Sequence, residues 1–373
     1  MMSDRSLQTM VKICRHAVFS SYVTWVKLST QRFLRTGLYI WADDLVDTVD
    51  TPNSEHPLLA IAEARQRLSK YSDYFIQQRT LERSGIASTL LQKAFLHLAR
   101  RGRIVGLGIC DKAENAVGSR QFFEGSLEEC EHYRAASLAL LLLAALRSGC
   151  YVDAVSIEAT EPVKPLHTDE ETHGGDKIGG VRLPECVPKV IYQDLTYINL
   201  EHKSAEWFSN DMIAEISLML SCARKVFAVN INFGITYALY VNEELEDLHN
   251  HTGHFGALNA FAAALDSSDL HTLQLERIVG KEEDYIHILH KHRNSLRHLV
   301  LDQCGLWEGG CWRRLLRWIE KNLGLVQFSL LDAWIETGAT SANNSRDRFM
   351  YHGQSDIPEI IKALAPELIQ SSE

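Results

Sequence analysis

Three aspartates in WADDLVDTVD, Asp43, Asp44 and Asp47, form the pattern with the most chemical promise in the chain. A DDxxD run can hold magnesium against a diphosphate, because hard oxygen ligands suit that cation and i, i+3 and i+4 spacing gathers carboxylates on one helix face. Such a site needs a second cluster of acidic, Asn or hydroxyl side chains to complete the metal cage. The nearest candidate, Asn210-Asp211-Met212-Ile213-Ala214-Glu215, lacks the hydroxyl and the carboxylate at the required spacing. A solvated acidic turn is therefore the expectation, with a metal-dependent diphosphate enzyme as the remote alternative.

Histidines gather twice, as His249, His251 and His254 in HNHTGH and as His287, His290, His292 and His298. Neither group has cysteines at ligand spacing or the HExxH arrangement that supplies two ligands and a base, so a surface loop and a helix flank are expected, without metal. No GxSxG elbow and no GxxxxGK[ST] loop occurs. Gly106-Leu107-Gly108 begins like a dinucleotide fingerprint but lacks its third glycine, and its glycines are expected to thin the open face of a sheet. Cys304 and Cys311 read as buried small apolar residues. No catalytic residue, cofactor or metal is expected, and the chain reads as a non-enzyme.

Composition points the same way. Hydrophobic residues make up 46% of the 373-residue chain and charged residues 23%, enough apolar surface for a large core. The net charge of −10 opposes a nucleic-acid binder that works by neutralising phosphates. The 8 cysteines contain no CxxC pair and read as reduced thiols. The opening MMSDRSLQTMVKICRH has no apolar h-region, and the apolar stretch Ala135 to Leu146, between Arg134 and Arg147, is too short to span a bilayer. A cytoplasmic or nuclear protein with neither a nucleic-acid nor a membrane partner is expected.

The elements that would have to position any site carry a repeat. The pattern apolar-x-x-apolar-x-apolar occurs at Leu270-Leu273-Leu275, Leu296-Leu299-Leu301 and Leu325-Phe328-Leu330, with starts one leucine-rich-repeat period apart. Looser matches fall at Val226-Val229-Ile231, Leu195-Ile198-Leu200, Val152-Val155-Ile157, Ile104-Leu107-Ile109 and Val23-Val26-Leu28. Alternation within each unit places apolar side chains on one face of a short strand and the intervening residue on the other. Helical stripes lie between them: Ala87, Leu90, Leu91, Ala94, Phe95 and Leu98; Leu258, Phe261, Ala262 and Leu265; Trp312, Leu315, Leu316 and Ile319. Gly102, Gly149 and Gly324 sit where helix C-termini favour positive φ. Strand, helix, strand implies parallel neighbours. The fold expected is an α/β, leucine-rich-repeat-like solenoid, a curved parallel sheet with helices on its convex side, with an open doubly wound sheet as the structural alternative.

Residues 1–100 read as a mostly helical amino-terminal region, 101–340 as the degenerate solenoid and 341–373 as a carboxy-terminal cap. An insertion rich in Pro, Gly, Thr and acidic residues is expected at about 158–188, and SANNSRDR is a second interruption.

The stretches KICRHAVFSSYVTWVKL, YSDYFIQQRTLERSGIASTLLQKAF and LHTLQL…ILHKHRNSLRHLVLDQCGLWEGGCWRRLLRWIEKNLGLVQFSL resemble the fungal F-box and leucine-rich-repeat-like family. The resemblance implies a ubiquitin-ligase receptor in which an F-box recruits the ligase adaptor and the repeats hold a client protein. No F-box-like opening precedes Val23. The expectation is therefore a client-binding platform with the F-box itself missing, or a free-standing scaffold or regulator unrelated to ubiquitin. Strand alternation nominates the concave face for the client: Tyr197, Asn199, Glu201, Asn230, Asn232, Thr272, Gln274, Glu276, His298, Asp302, Gln327 and Ser329.

Overall fold

Ser3 starts the first helix by a reciprocal cap: the Ser6 N–H donates to Ser3 Oγ at 3.1 Å and the Ser3 N–H to Ser6 Oγ at 3.0 Å. That helix, α1 (Asp4–Arg15), has Asp4 in its first turn and Arg15 in its last, which complements the helix dipole, and it buries Leu7 and Cys14. The computed structural model describes residues 3–29, 31–33, 35–50, 57–110, 130–132, 134–159, 190–202, 210–233, 253–306, 310–331, 333–335 and 347–349. The described residues form two compact units, one up to Tyr151 and one from Val152.

The first unit continues through β1 (Trp25–Ser29), β2 (Gln31–Phe33), α2 (Arg35–Asp50), α3 (Pro57–Arg83), α4 (Ile86–Ala99), β3 (Ile104–Cys110), β4 (Cys130–His132) and α5 (Arg134–Ser148). α4 buries Ala87, Leu91, Ala94, Phe95 and Leu98, with Leu90 half-buried, and α1 and α5 pack against it. β1 and β3 run parallel with Trp25 opposite Gly106. A Cβ on Gly106 would stand 2.5 Å from the Trp25 ring, so the glycine makes room for an indole on the adjacent strand. Gly106 alternates with the buried Val105 and Leu107, so it thins the opposite face, as expected, and the Trp25 indole takes the space.

The second unit comprises β5 (Tyr151–Ala159), β6 (Tyr197–His202), α6 (Asn210–Cys222), β7 (Ala228–Asn232), α7 (Gly253–Ala264), β8 (Thr272–Glu276), β9 (Val279–Gly280), α8 (Glu282–Lys291), β10 (His298–Asp302), β11 (Gly305–Leu306), α9 (Trp312–Asn322), β12 (Gln327–Leu331), β13 (Ala333–Ile335) and β14 (Asp347–Phe349). β5, β6, β7, β8, β10 and β12 pair in that order, all parallel and in one register. The chain is thus α/β, with parallel sheet and helices. Every match to the apolar-x-x-apolar-x-apolar pattern falls on one of the strands or runs into one.

The register explains why the pattern works. Val155, Ile198, Val229, Leu273, Leu299 and Phe328 stand side by side, and all are buried. Two residues on, Leu200, Ile231, Leu275, Leu301 and Leu330 form a second buried row, with Ile157 half-buried at its end. Each full burial of such a side chain is worth about 1.5–3 kcal/mol, and a slip of one residue would forfeit the whole row.

α6, α7, α8 and α9 pack side by side in sequence order. Phe261, Ala262, Trp312, Leu315, Leu316 and Ile319 are fully buried, whereas Arg314, Arg317 and Lys321 face water. Gly102 and Gly149 take φ of 64° and 65° after α4 and α5. Gly324 does not: α9 already ends at Leu323 in an extended conformation (φ −114°, ψ 135°), which turns the chain without a left-handed residue.

A smaller sheet follows the main strands. β9, β11 and β13 pair in parallel and β14 joins β13 antiparallel, so SANNSRDR ends in a strand. The bulk of the insertion at 158–188, His249, His251 and the cap through Ile360, Ile361, Leu364 and Leu368 lie outside the described residues.

Candidate protein-binding face

The twelve nominated residues occupy three adjacent rows on the face of the main sheet that alternates with the buried rows. Tyr197, Thr272, His298 and Gln327 share the first row with Ala154 and Ala228. The second runs Ser156, Asn199, Asn230, Gln274, Val300, Ser329, and the third Glu158, Glu201, Asn232, Glu276, Asp302, Leu331. In-register parallel strands place row neighbours about 4.8 Å apart, close enough for side chains to bond across. Ten of the twelve are half-buried, while Asn232 and Ser329 are buried at 8% and 7% exposure.

The second row is wired in one direction. Asn230 Nδ2 donates to Asn199 Oδ1 at 2.7 Å, Asn199 Nδ2 to Ser156 Oγ at 3.0 Å, and the Ser156 hydroxyl to Glu158 Oε1 at 3.0 Å. Each donation leaves the next acceptor filled except at the start, where the buried Asn230 Oδ1 receives no hydrogen bond. In the third row the Glu276 carboxyl is held above its ordinary value, first by burial and then by Asp302 and Glu201, against the opposing influence of Arg277 and Asn232.

Sequence reasoning passed over Ser156, Glu158 and Val300, although the same alternation puts them on this face. It also missed the residues that end the strands. Arg277 and Gln303 both take left-handed φ, 58° and 49°, immediately after β8 and β10. Their amides reach the next strand, Arg277 N–H to the Asp302 carbonyl at 2.7 Å and Gln303 N–H to the Leu331 carbonyl at 2.8 Å, while Arg277 Nε donates to Gln303 Oε1 at 2.8 Å. No glycine marks these turns, so composition gave no signal for them.

The alternative chemistries are placed as follows. Asp43, Asp44 and Asp47 lie within α2, not in a turn; Asp43 and Asp47 are exposed, and Asp44 Oδ2 pairs with Arg67 Nη2 at 3.3 Å. Among the described residues no group of three or more His, Cys, Asp or Glu could hold a metal ion. His287 and His290 are exposed on α8, His292 is buried at its end, and His298 belongs to the first row. Cys304 is buried, with its thiol pushed up to about 12 by burial, which suits packing and not nucleophilic attack; Cys311 is half-buried. No helix among the described residues is long and apolar enough to cross a membrane. Comparison with protein-family models, curated proteins and solved structures returns no match.

Proposed function

We propose that the second unit is a degenerate leucine-rich-repeat-like solenoid whose open sheet face holds a partner protein, by binding alone. The observation that carries this reading is the sequential order of six parallel, in-register strands with one face buried and the other lined by three largely polar rows. Strand order without reversal supports a solenoid over a doubly wound sheet, which binds ligands where its order reverses. Polar rows that bond to one another are pre-organised, so a partner meets side chains whose ordering cost is already met. Tyr197 supplies the aromatic anchor on this face, beside the half-buried Asn199 and Asn230.

Changing Tyr197, Asn230 and Gln274 together to Ala tests the reading. A partner recovered from native extract with the parent chain is expected to bind the triple variant at least about tenfold more weakly, the loss of about 1.4 kcal/mol or more that hot-spot truncation brings. The melting curve should hardly move, because these side chains lie off the buried rows. Unchanged binding would move the site to the insertion at 158–188 or to residues 1–100. A collapsed melting curve would mean that the face stabilises the fold and is not free to bind. Residues 1–373 carry no F-box-like stretch, so this chain by itself is not expected to retain a ubiquitin-ligase adaptor, and co-purification of the adaptor with it would contradict that expectation.

A further inference from the structure

His292 closes α8 and is 3% exposed. Its Nδ1 lies 2.9 Å from the Ser267 carbonyl oxygen, which can only accept, so Nδ1 carries the proton of the neutral ring. Ser267 in turn donates its hydroxyl to the Val226 carbonyl at 2.8 Å and approaches the Arg224 carbonyl at 3.1 Å. One chain of side-chain bonds thus ties the segments that lead into β7, β8 and β10. The site left for a second proton is Nε2, which is buried and makes no hydrogen bond.

We propose that this staple is acid-sensitive: taking up a proton at Nε2 of His292 releases the end of α8 from the Ser267 turn and loosens the entry to β10. The physical cause is the cost of placing a cation where no water reaches it. Burial is the largest influence on the ring and pulls its pKa below the ordinary 6.5; the neighbouring Lys291 ammonium acts in the same direction. The Ser267 and Leu265 carbonyls and the Asp266 carboxylate favour the cation, and burial outweighs them. The sign follows. The unfolded chain binds the proton at a higher pH than the folded one, so the staple is whole above about pH 6.5 and its stabilisation is lost as pH falls below that value toward the folded pKa. The inference is independent of what the sheet face binds.

His292→Asn keeps an amide donor for the Ser267 carbonyl but cannot take up a proton. Urea unfolding of the full chain between about pH 7.5 and about pH 5 is expected to cost the parent at least about tenfold more in its folding equilibrium constant than the variant. Protection from amide exchange, taken relative to the intrinsic rate at each pH, should fall with acid at Leu296, whose N–H donates to the His292 carbonyl, and at Asp269, whose N–H donates to Ser267 Oγ, in the parent alone. Parallel pH profiles for the two proteins would overturn the proposal. Should the variant fail to fold, a ring titration of His292 in the parent by NMR decides: a midpoint at or above the ordinary value, with protection at Leu296 unchanged, rejects it.

Discussion

Leu299→Asp is expected to lose about 5 kcal/mol or more of stability and to leave the second unit largely unfolded at room temperature. Leu299 is fully buried at the centre of the first apolar row, between Leu273 on β8 and Phe328 on β12. Truncation to Ala already removes the transfer energy of the side chain and leaves a cavity, together about 3 kcal/mol at such a site. A carboxylate adds its own desolvation, and no base stands in that row to receive it. His298→Ala, one residue earlier on the same strand, should cost under about 1 kcal/mol, because its ring lies on the other face and bonds only at the long distance of 3.3 Å, to Gln327. Denaturant midpoints of the three variants measure the contrast. Similar losses at 298 and 299 would mean that both faces of β10 are core, and the client-binding reading would fall with the face assignment.

That one-residue contrast is also where the sequence was most legible. The apolar-x-x-apolar-x-apolar spacing encodes a period of two over its last three residues, and a strand is the element with that period. The pairing of β7, β8, β10 and β12 with their predecessors followed because each is reached through a helix: α6, α7, α8 and α9 in turn. What the pattern could not carry is anything made by residues far apart. Trp25 and Gly106 are a strand apart in space and a whole helical region apart in sequence, so the thinning of the sheet face could be read but not the indole that fills the space. Asp44 belongs to a helix because Arg67 and the packing of α2 on α3 hold it there, whereas aspartate by itself favours caps and turns. Arg277 and Gln303 adopt backbone that usually needs glycine, and the bonds that hold them there reach the following strand. Val300, in the middle of an otherwise polar row, was passed over because polarity, not position, guided the choice of face residues.

Glu282→Ala is expected to cost about 2–3 kcal/mol, far more than a surface ion pair would. Glu282 opens α8 and is 4% exposed, yet its carboxylate is fully engaged. Arg314 Nε donates to Oε1 and Arg314 Nη2 to Oε2, each at 2.6 Å, and the Cys311 N–H donates to Oε2 at 2.9 Å. A bidentate guanidinium and an amide that would otherwise be orphaned at the start of α9 therefore converge on one side chain. The two contributions separate by substitution. Arg314 is 64% exposed on its side chain, so Arg314→Ala frees little buried charge on its own side but strands the carboxylate of Glu282 inside. Glu282→Gln keeps an acceptor for Cys311 and loses only the charge pairing, so it should cost about half of the Ala change. The order expected in urea midpoints, from least to most damaging, is Glu282→Gln, then Glu282→Ala and Arg314→Ala close together. The double variant Glu282→Ala with Arg314→Ala should be little worse than either alone, because both remove the same pair. Additive losses in that cycle would show that the two residues act apart, and α8 and α9 would then be held by their apolar stripes alone.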